Sequence, residues 1–246
     1  MRYSIPLLLL FLILSCSSKI QKEEVEVQSN SLKEEIIEDE VLVSYDDLKA
    51  DASNKRDDFR KLYNSCDGNK VKQDSIIINA QEYLLDISDQ YFKAWYGTPW
   101  AFHGHSKVPK EGNIACGYFV TTTLKDMGFD IPRIKWAQQA SEYLIKKVSN
   151  DIKRFHKAPM TDIVDYIKVG GEGLYIVGLD SHVGYIYYRN GKIAFVHTNY
   201  YRPQIGVMSE PLSGRNPLND SKYRVIGKIM DKEMVRNWIL NTPYSE

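Results

Sequence analysis

The spacing of the apolar residues changes at Gly170-Gly171. Upstream, Ile77, Tyr83, Leu84, Ile87, Tyr91 and Trp95 recur near the helical period. Downstream, Leu174 to Leu179, His182 to Tyr188 and Ile193 to Thr198 are β-branched and aromatic runs, the mark of strands. Asn190-Gly191 separates the last two runs. Both residues accept the positive φ that a two-residue hairpin turn requires. Tyr223 to Ile229 reads as a fourth strand and Met234 to Leu240 as a terminal helix. Helices first and an antiparallel sheet afterwards specify an α+β fold.

The helical half divides at its turn residues. Tyr45 to Tyr63, with Leu48, Phe59 and Leu62, predicts a helix that ends at Ser65-Cys66-Asp67-Gly68-Asn69. A second helix spans Ser75 to about Trp95 and stops at Gly97-Thr98-Pro99. Residues 97 to 115 contain three Gly, two Pro and two His and read as one long loop. Cys116 to Met127 carries Phe119, Val120, Leu124 and Met127 on one helical face, and Gly128 is its stop. Trp136, Ala140, Tyr143 and Leu144 predict a single helix of about three turns. Thr161 is placed to cap a short helix through Ile167. Trp95, Trp136 and Trp238 are expected in the core.

The chain has 246 residues and equal numbers of basic and acidic groups, 32 of each, so no global basic field points to nucleic acid. The charge is uneven. Residues 21 to 40 carry −6 and residues 1 to 20 carry +2, which leaves +4 for the remainder. Three Cys without a CxxC pair exclude a disulfide scaffold and a zinc ribbon. Arg2 precedes an apolar run from Ile5 to Leu14, too short to span a bilayer, which needs about 20 residues. Ile13-Leu14-Ser15-Cys16 then resembles a bacterial lipobox, with Cys16 as the lipidated residue. The expected organisation is a signal peptide over 1–15, a lipidated Cys and acidic flexible tether over 16–42, and a catalytic domain with an N-terminal helical extension over 43–246. The expected location is the bacterial cell envelope, with the lipid anchor in the outer membrane.

Cys116 is the focal residue for chemistry. The loop delivers it to the first turn of a predicted helix, where unpaired N–H groups and the dipole favour a thiolate and can hold an oxyanion. Symmetric pairing about Asn190-Gly191 sets position 182 opposite 199, with 197 on the same face. His182 then comes within reach of His197 or Asn199. That arrangement supplies a base and an orienting partner for a Cys nucleophile. Arg133, Gln138 and Gln139 lie at the helix predicted from Trp136 to Leu144, where they could line the groove, and read first as a solvated helix face. Cys66 reads as a buried or free thiol.

Tyr96-Gly97-Thr98-Pro99-Trp100, Gly104, Ala115-Cys116-Gly117-Tyr118-Phe119-Val120, His182-Val183-Gly184-Tyr185-Ile186 and Phe195-Val196-His197 resemble the NlpC-type, papain-like cell-wall cysteine peptidases. The likeness covers about residues 92 to 200. It implies a papain-like domain whose nucleophile sits at a helix N-terminus packed on an antiparallel sheet. Cys116 would be the nucleophile, His182 the base and His197 its orienting residue. Trp100, His103 and Asn199 would be oxyanion or groove residues. The implied substrate is a peptidoglycan peptide, cut without a cofactor or metal. Three positions depart from the family. Ala115-Cys116-Gly117 replaces Asp-Cys-Ser, Trp100 stands where a Tyr is usual, and His103 replaces a glycine. The missing Asp, which holds a substrate amine in relatives, points to a different specificity.

Two other classes compete. One is an envelope-binding lipoprotein with a degenerate, non-catalytic site. The other is a zinc hydrolase built on His103-Gly104-His105 with Cys116 and His182, since Cys and His suit zinc.

Overall fold

The computed structural model describes residues 44–245. Helices α1 (Tyr45–Ser65) and α2 (Lys70–Trp95) form a hairpin. Each starts on a side-chain cap. Ser44 Oγ accepts from the Asp47 amide at 3.1 Å, and Asn69 Oδ1 from the Lys72 amide at 3.2 Å. The caps satisfy donors that the first helical turn leaves open. The Asn69 cap also sets the start of α2 earlier than the apolar spacing alone predicts.

The chain continues through α3 (Cys116–Asp126), α4 (Arg133–Ala137), α5 (Ser141–Val148), β1 (Asp151–His156), α6 (Met160–Gly170), β2 (Gly173–Leu179), β3 (Val183–Arg189), β4 (Lys192–Asn199), β5 (Gly206–Glu210), α7 (Pro217–Asp220), β6 (Tyr223–Ile229) and α8 (Lys232–Leu240). The strands make one six-stranded sheet in the order β1-β6-β2-β3-β4-β5, antiparallel throughout. The expected α+β architecture of helices and an antiparallel sheet is therefore present.

Both faces of the sheet are covered, and strand alternation divides the core in two. Leu174, Ile176, Tyr185, Val196 and Val225 pack with the helical layer that includes Phe92, Trp95, Phe119 and Trp238. Their neighbours Tyr175, Val177, Ile186, Phe195 and Ile226 pack on the other side with Ile163 and Ile167 of α6. Successive strand side chains point to opposite faces, so a strand between two layers is buried at every position, as all of β2 is. Trp95, Trp136 and Trp238 are all buried.

Four sequence expectations need correction. The helix expected across Trp136 to Leu144 is two helices, α4 and α5, separated at Gln138-Gln139-Ala140. Thr161 is not a cap, because α6 begins at Met160 after Pro159 and the Thr161 hydroxyl turns to Asp162. Two strands join the four expected ones. β1 is an edge strand in which Phe155 alone is buried, and its charged residues suit an unpaired edge. β5 is short and forms the opposite edge. The 97–115 loop is also organised, with Trp100 and His105 each bridging to Ile114.

The Thr121-Thr122-Thr123 run sits inside α3 despite its weak helix propensity. Thr121 and Thr123 return their hydroxyls to the carbonyls of Gly117 and Phe119, at 3.0 and 2.9 Å. A buried hydroxyl is thereby satisfied within its own helix.

α5 lies directly on the sheet because two strand positions have no side chain. A Cβ at Gly227 would stand 2.5 Å from Ile145 Cγ2, and one at Gly178 2.2 Å from Ser141 Oγ. Gly227→Val should lift α5 from β6 and destabilise the protein by about 1–3 kcal/mol, the usual cost of overpacking. A lowered urea midpoint with an unchanged slope is the expected readout.

Candidate active site

Cys116 is the first residue of α3, and Ala115 at the cap position offers no side chain to the open helix amides. The backbone amides of Cys116, Gly117 and Val183 lie near enough to the sulfur to favour its thiolate. Val183 follows His182, so the strand that carries the histidine also reaches the thiol. Cys116 and His182 line one cavity of about 700 Å³.

Gly117 is fixed by a neighbour. A Cβ there would lie 2.3 Å from the carbonyl oxygen of Ala137. The last residue of α4 thus presses its backbone against the residue after Cys116, and the chain then leaves the helix. Gln138 and Gln139 follow at once and line the cavity, with Gln138 Nε2 donating to the Tyr118 hydroxyl at 3.1 Å. Both are exposed, as expected, and they stand at the helix break on the rim of the cavity. Arg133 is a clamp. Its guanidinium donates to the carbonyls of His105 and Ser106 at 3.1 and 2.7 Å and to Thr122 Oγ1 at 2.7 Å. It lies 4.9 Å from the Tyr118 ring centre. The His103-Gly104-His105 loop is held against α3 by these bonds.

His182 is buried at the start of β3, where its carbonyl accepts from the Leu179 amide across the Asp180-Ser181 turn. The hairpin register is the expected one, running from Tyr185 opposite Val196 to Arg189 opposite Lys192. His182 Nε2 and His197 Nδ1 are 3.0 Å apart, and His197 Nε2 lies 2.8 Å from Glu210 Oε1. His197 is fully buried and stacks on Phe195 with ring centres 4.1 Å apart. Little space remains around it, since a Cβ at Gly184 would stand 2.8 Å from His197 Cβ.

These contacts fix the tautomers. A carboxylate only accepts, so His197 carries its proton on Nε2 and its Nδ1 is a lone pair. His182 then donates through Nε2, and its Nδ1 is left without a proton. Burial lowers the proton affinity of both rings. For His182 the neighbouring His197 adds to this, and for His197 the Glu210 contact opposes it. Burial also pushes the Cys116 thiol up, and outweighs the three amides that favour the thiolate. Burial thus opposes the thiolate expected from the helix start, and it favours the neutral form of the His182 ring on the same cavity.

Glu210 is the residue that the sequence did not reveal. It stands opposite Phe195 on β5 and diagonal to His197, which is paired with Met208. Its other oxygen accepts from Arg202 at 2.9 Å. Detecting β5 was the one route to it, and Gly-Val-Met-Ser-Glu carries almost no strand pattern. Asn199, the competing partner for His182, has a different task. Its Oδ1 accepts the amides of Tyr201 and Arg202 at 2.8 and 3.1 Å, which shapes the loop that returns to β5.

Trp100 and His103 both line the cavity, and the Trp100 ring packs against Tyr200 at 5.9 Å. Among the described residues, no group of three or more His, Cys, Asp or Glu side chains is placed to hold a metal ion. The zinc reading thus finds no ligand set around His103 and His105. Cys66 is a free thiol at the end of α1 and is not bonded to Cys116. Cys16 lies outside the described residues.

Glu210→Gln keeps the shape and an acceptor but removes the charge behind both histidines. Its folding should be intact and its turnover reduced by on the order of tenfold or more, less than the ~10⁴ lost when the Asp directly behind a triad histidine becomes Asn. Asn199→Ala should instead lower the melting temperature. Turnover and thermal unfolding measured on both variants separate the two roles.

No family model matches the chain, and no curated protein matches it. Among solved structures it is similar to the crystal structure of an N-acetylmuramoyl-L-alanine amidase from Bacteroides uniformis, with 10% identity, 60% of this chain and 99% of that chain covered, and a TM-score of 0.31.

Proposed function

We propose that the protein is a papain-like cysteine hydrolase that cleaves amide bonds. The observation that carries this reading is the ordered chain from Glu210 through His197 to His182, which ends at a cavity with Cys116 on its wall. A buried structural histidine needs one satisfied partner. Two histidines and a carboxylate in series, with the last ring on the same cavity as a thiol, supply a proton acceptor for a nucleophile. The degenerate-site reading has no such reason for the whole series to persist.

The reaction uses only side chains and water. His182 Nδ1 takes the thiol proton as sulfur attacks the carbonyl carbon. The new C–S bond turns the carbonyl into an oxyanion, for which the Cys116 amide and the Trp100 indole N–H are the proposed donors. Collapse expels the amine, which leaves with the proton from His182, and a thioester remains. Water, deprotonated by His182, attacks the thioester, and the thiol departs with that proton. While His182 is positive, Glu210 balances the charge through His197. The motif resemblance makes cell-wall peptides the proposed substrate class, and the Ile13-Leu14-Ser15-Cys16 run makes the protein a proposed lipoprotein of the bacterial envelope.

Cys116→Ala and His182→Ala should each fold and lose turnover by several orders of magnitude on a peptidoglycan digest read by mass spectrometry. Full activity in a folded His182→Ala protein contradicts the mechanism. The pH dependence follows from the directions above. A raised thiol is protonated at neutral pH, so iodoacetamide alkylation should climb with pH and reach its midpoint above the usual thiol value of about 8.5. A base with lowered proton affinity stays unprotonated further into acid. The acid limb of kcat/KM should therefore fall below the usual histidine value of about 6.5.

The anchor has a separate test. Wild type should incorporate labelled palmitate and partition into detergent, and Cys16→Ala should do neither. Labelling that persists in Cys16→Ala rejects the lipidation site.

A further inference from the structure

The cavity at Cys116 is lined by fourteen residues, and none of them is Asp, Glu, Lys or Arg. The chain as a whole is not short of charge, with 26% of its residues charged. The nearby ions are engaged elsewhere. Glu210 is nearly buried behind His197 and bonded to Arg202. Arg133 is spent on His105, Ser106 and Thr122. Glu111 lines an adjoining cavity that shares His103 and His105, and does not line this one. The walls next to the thiol are instead the rings of Trp100, Tyr118 and Tyr200 and the side-chain amides of Gln138 and Gln139. Ala115, directly before the nucleophile, contributes a methyl group.

A cavity of this kind discriminates by solvation. A free amine that enters it gives up water and meets no carboxylate, and a carboxylate meets no Lys or Arg and only the imidazoles of His103, His105 and His182, which is costly. A neutral amide gives up less and finds Gln138 and Gln139 as partners, while aromatic faces receive apolar or ring surfaces. We propose that the Cys116 cavity selects acyl donors that are uncharged beside the scissile bond, with the amino group already acylated, and rejects donors with a free amine there. This rests on the hydrolase reading of the same site and specifies its substrate.

The test uses three acyloxymethyl ketone probes built on one dipeptide, with a free, acetylated or succinylated amine. Covalent labelling of Cys116 in the purified protein is followed by intact mass, with iodoacetamide as a reference that needs no subsite. At pH 7 the acetylated probe should label at least tenfold faster than the free-amine and succinylated probes. Raising the pH past the amine's value of about 8 should narrow the gap with the free-amine probe only. A115D places a carboxylate beside the nucleophile at a helix cap, where Asp is well tolerated. It should swing the ratio at least tenfold toward the free amine.

Equal or faster labelling by the free-amine probe in the wild type overturns the proposal. So does labelling by iodoacetamide with none by the acetylated ketone, since the cavity then refuses the neutral donor. A Cys116 inert to iodoacetamide across pH 6 to 10 removes the hydrolase reading itself, and the proposal with it.

Discussion

Across the β3–β4 hairpin Tyr185 faces Val196, and the register runs unbroken to the Asn190-Gly191 turn. The site depends on that register. His197 shares a face with Phe195 and stacks on it, while Val196 belongs to the opposite layer with the helices. A slip of one residue would exchange the two faces. It would send His197 into the helical core and separate it from both His182 and Glu210. Two anchors oppose the slip. Aromatic and β-branched side chains fill both layers, and Gly184 leaves room for His197 and for no other arrangement at that position.

The second requirement is the approach of α3 to the start of β3. The Tyr185 hydroxyl donates to the Val120 carbonyl and accepts from Thr123 Oγ1, 2.9 Å away. Phe92 and Phe119 pack on the same tyrosine. A fully buried hydroxyl with partners on α3 ties the helix that carries Cys116 to the strand that follows His182. The relative position of Cys116 and His182 is thus set by core packing and not by the surface loops around them.

Much of this was legible in the sequence. The period change at Gly170-Gly171 marked the start of β2, β3, β4 and β6, although β1 joins the sheet from upstream of it, and Asn190-Gly191 gave a register that the structure repeats. Cys116, His182 and His197 followed from that register and from a helix start. What stayed hidden shares a physical cause. β1 and β5 are edge strands, buried little or short, so alternation hardly marks them. Glu210 was lost with β5. The break between α4 and α5 has no Gly or Pro to announce it, because it is imposed from outside by the contact of the Ala137 carbonyl with Gly117. The state of the Cys116 thiol was misjudged for a similar reason. A helix start is visible in a sequence, but the depth at which the sulfur is packed is not.

The Gly117 contact also bears on how such a site can change over generations. The residue after the nucleophile and the placement of α4 cannot vary one at a time. A serine at 117 collides with Ala137, and a retracted α4 draws Gln138 and Gln139 away from the thiol. Each single step passes through a damaged site, which is sign epistasis written into one backbone contact. A cavity wall held by such a lock shifts its preference by exchanging side chains along the rim. The frame around Cys116 stays in place while it does so.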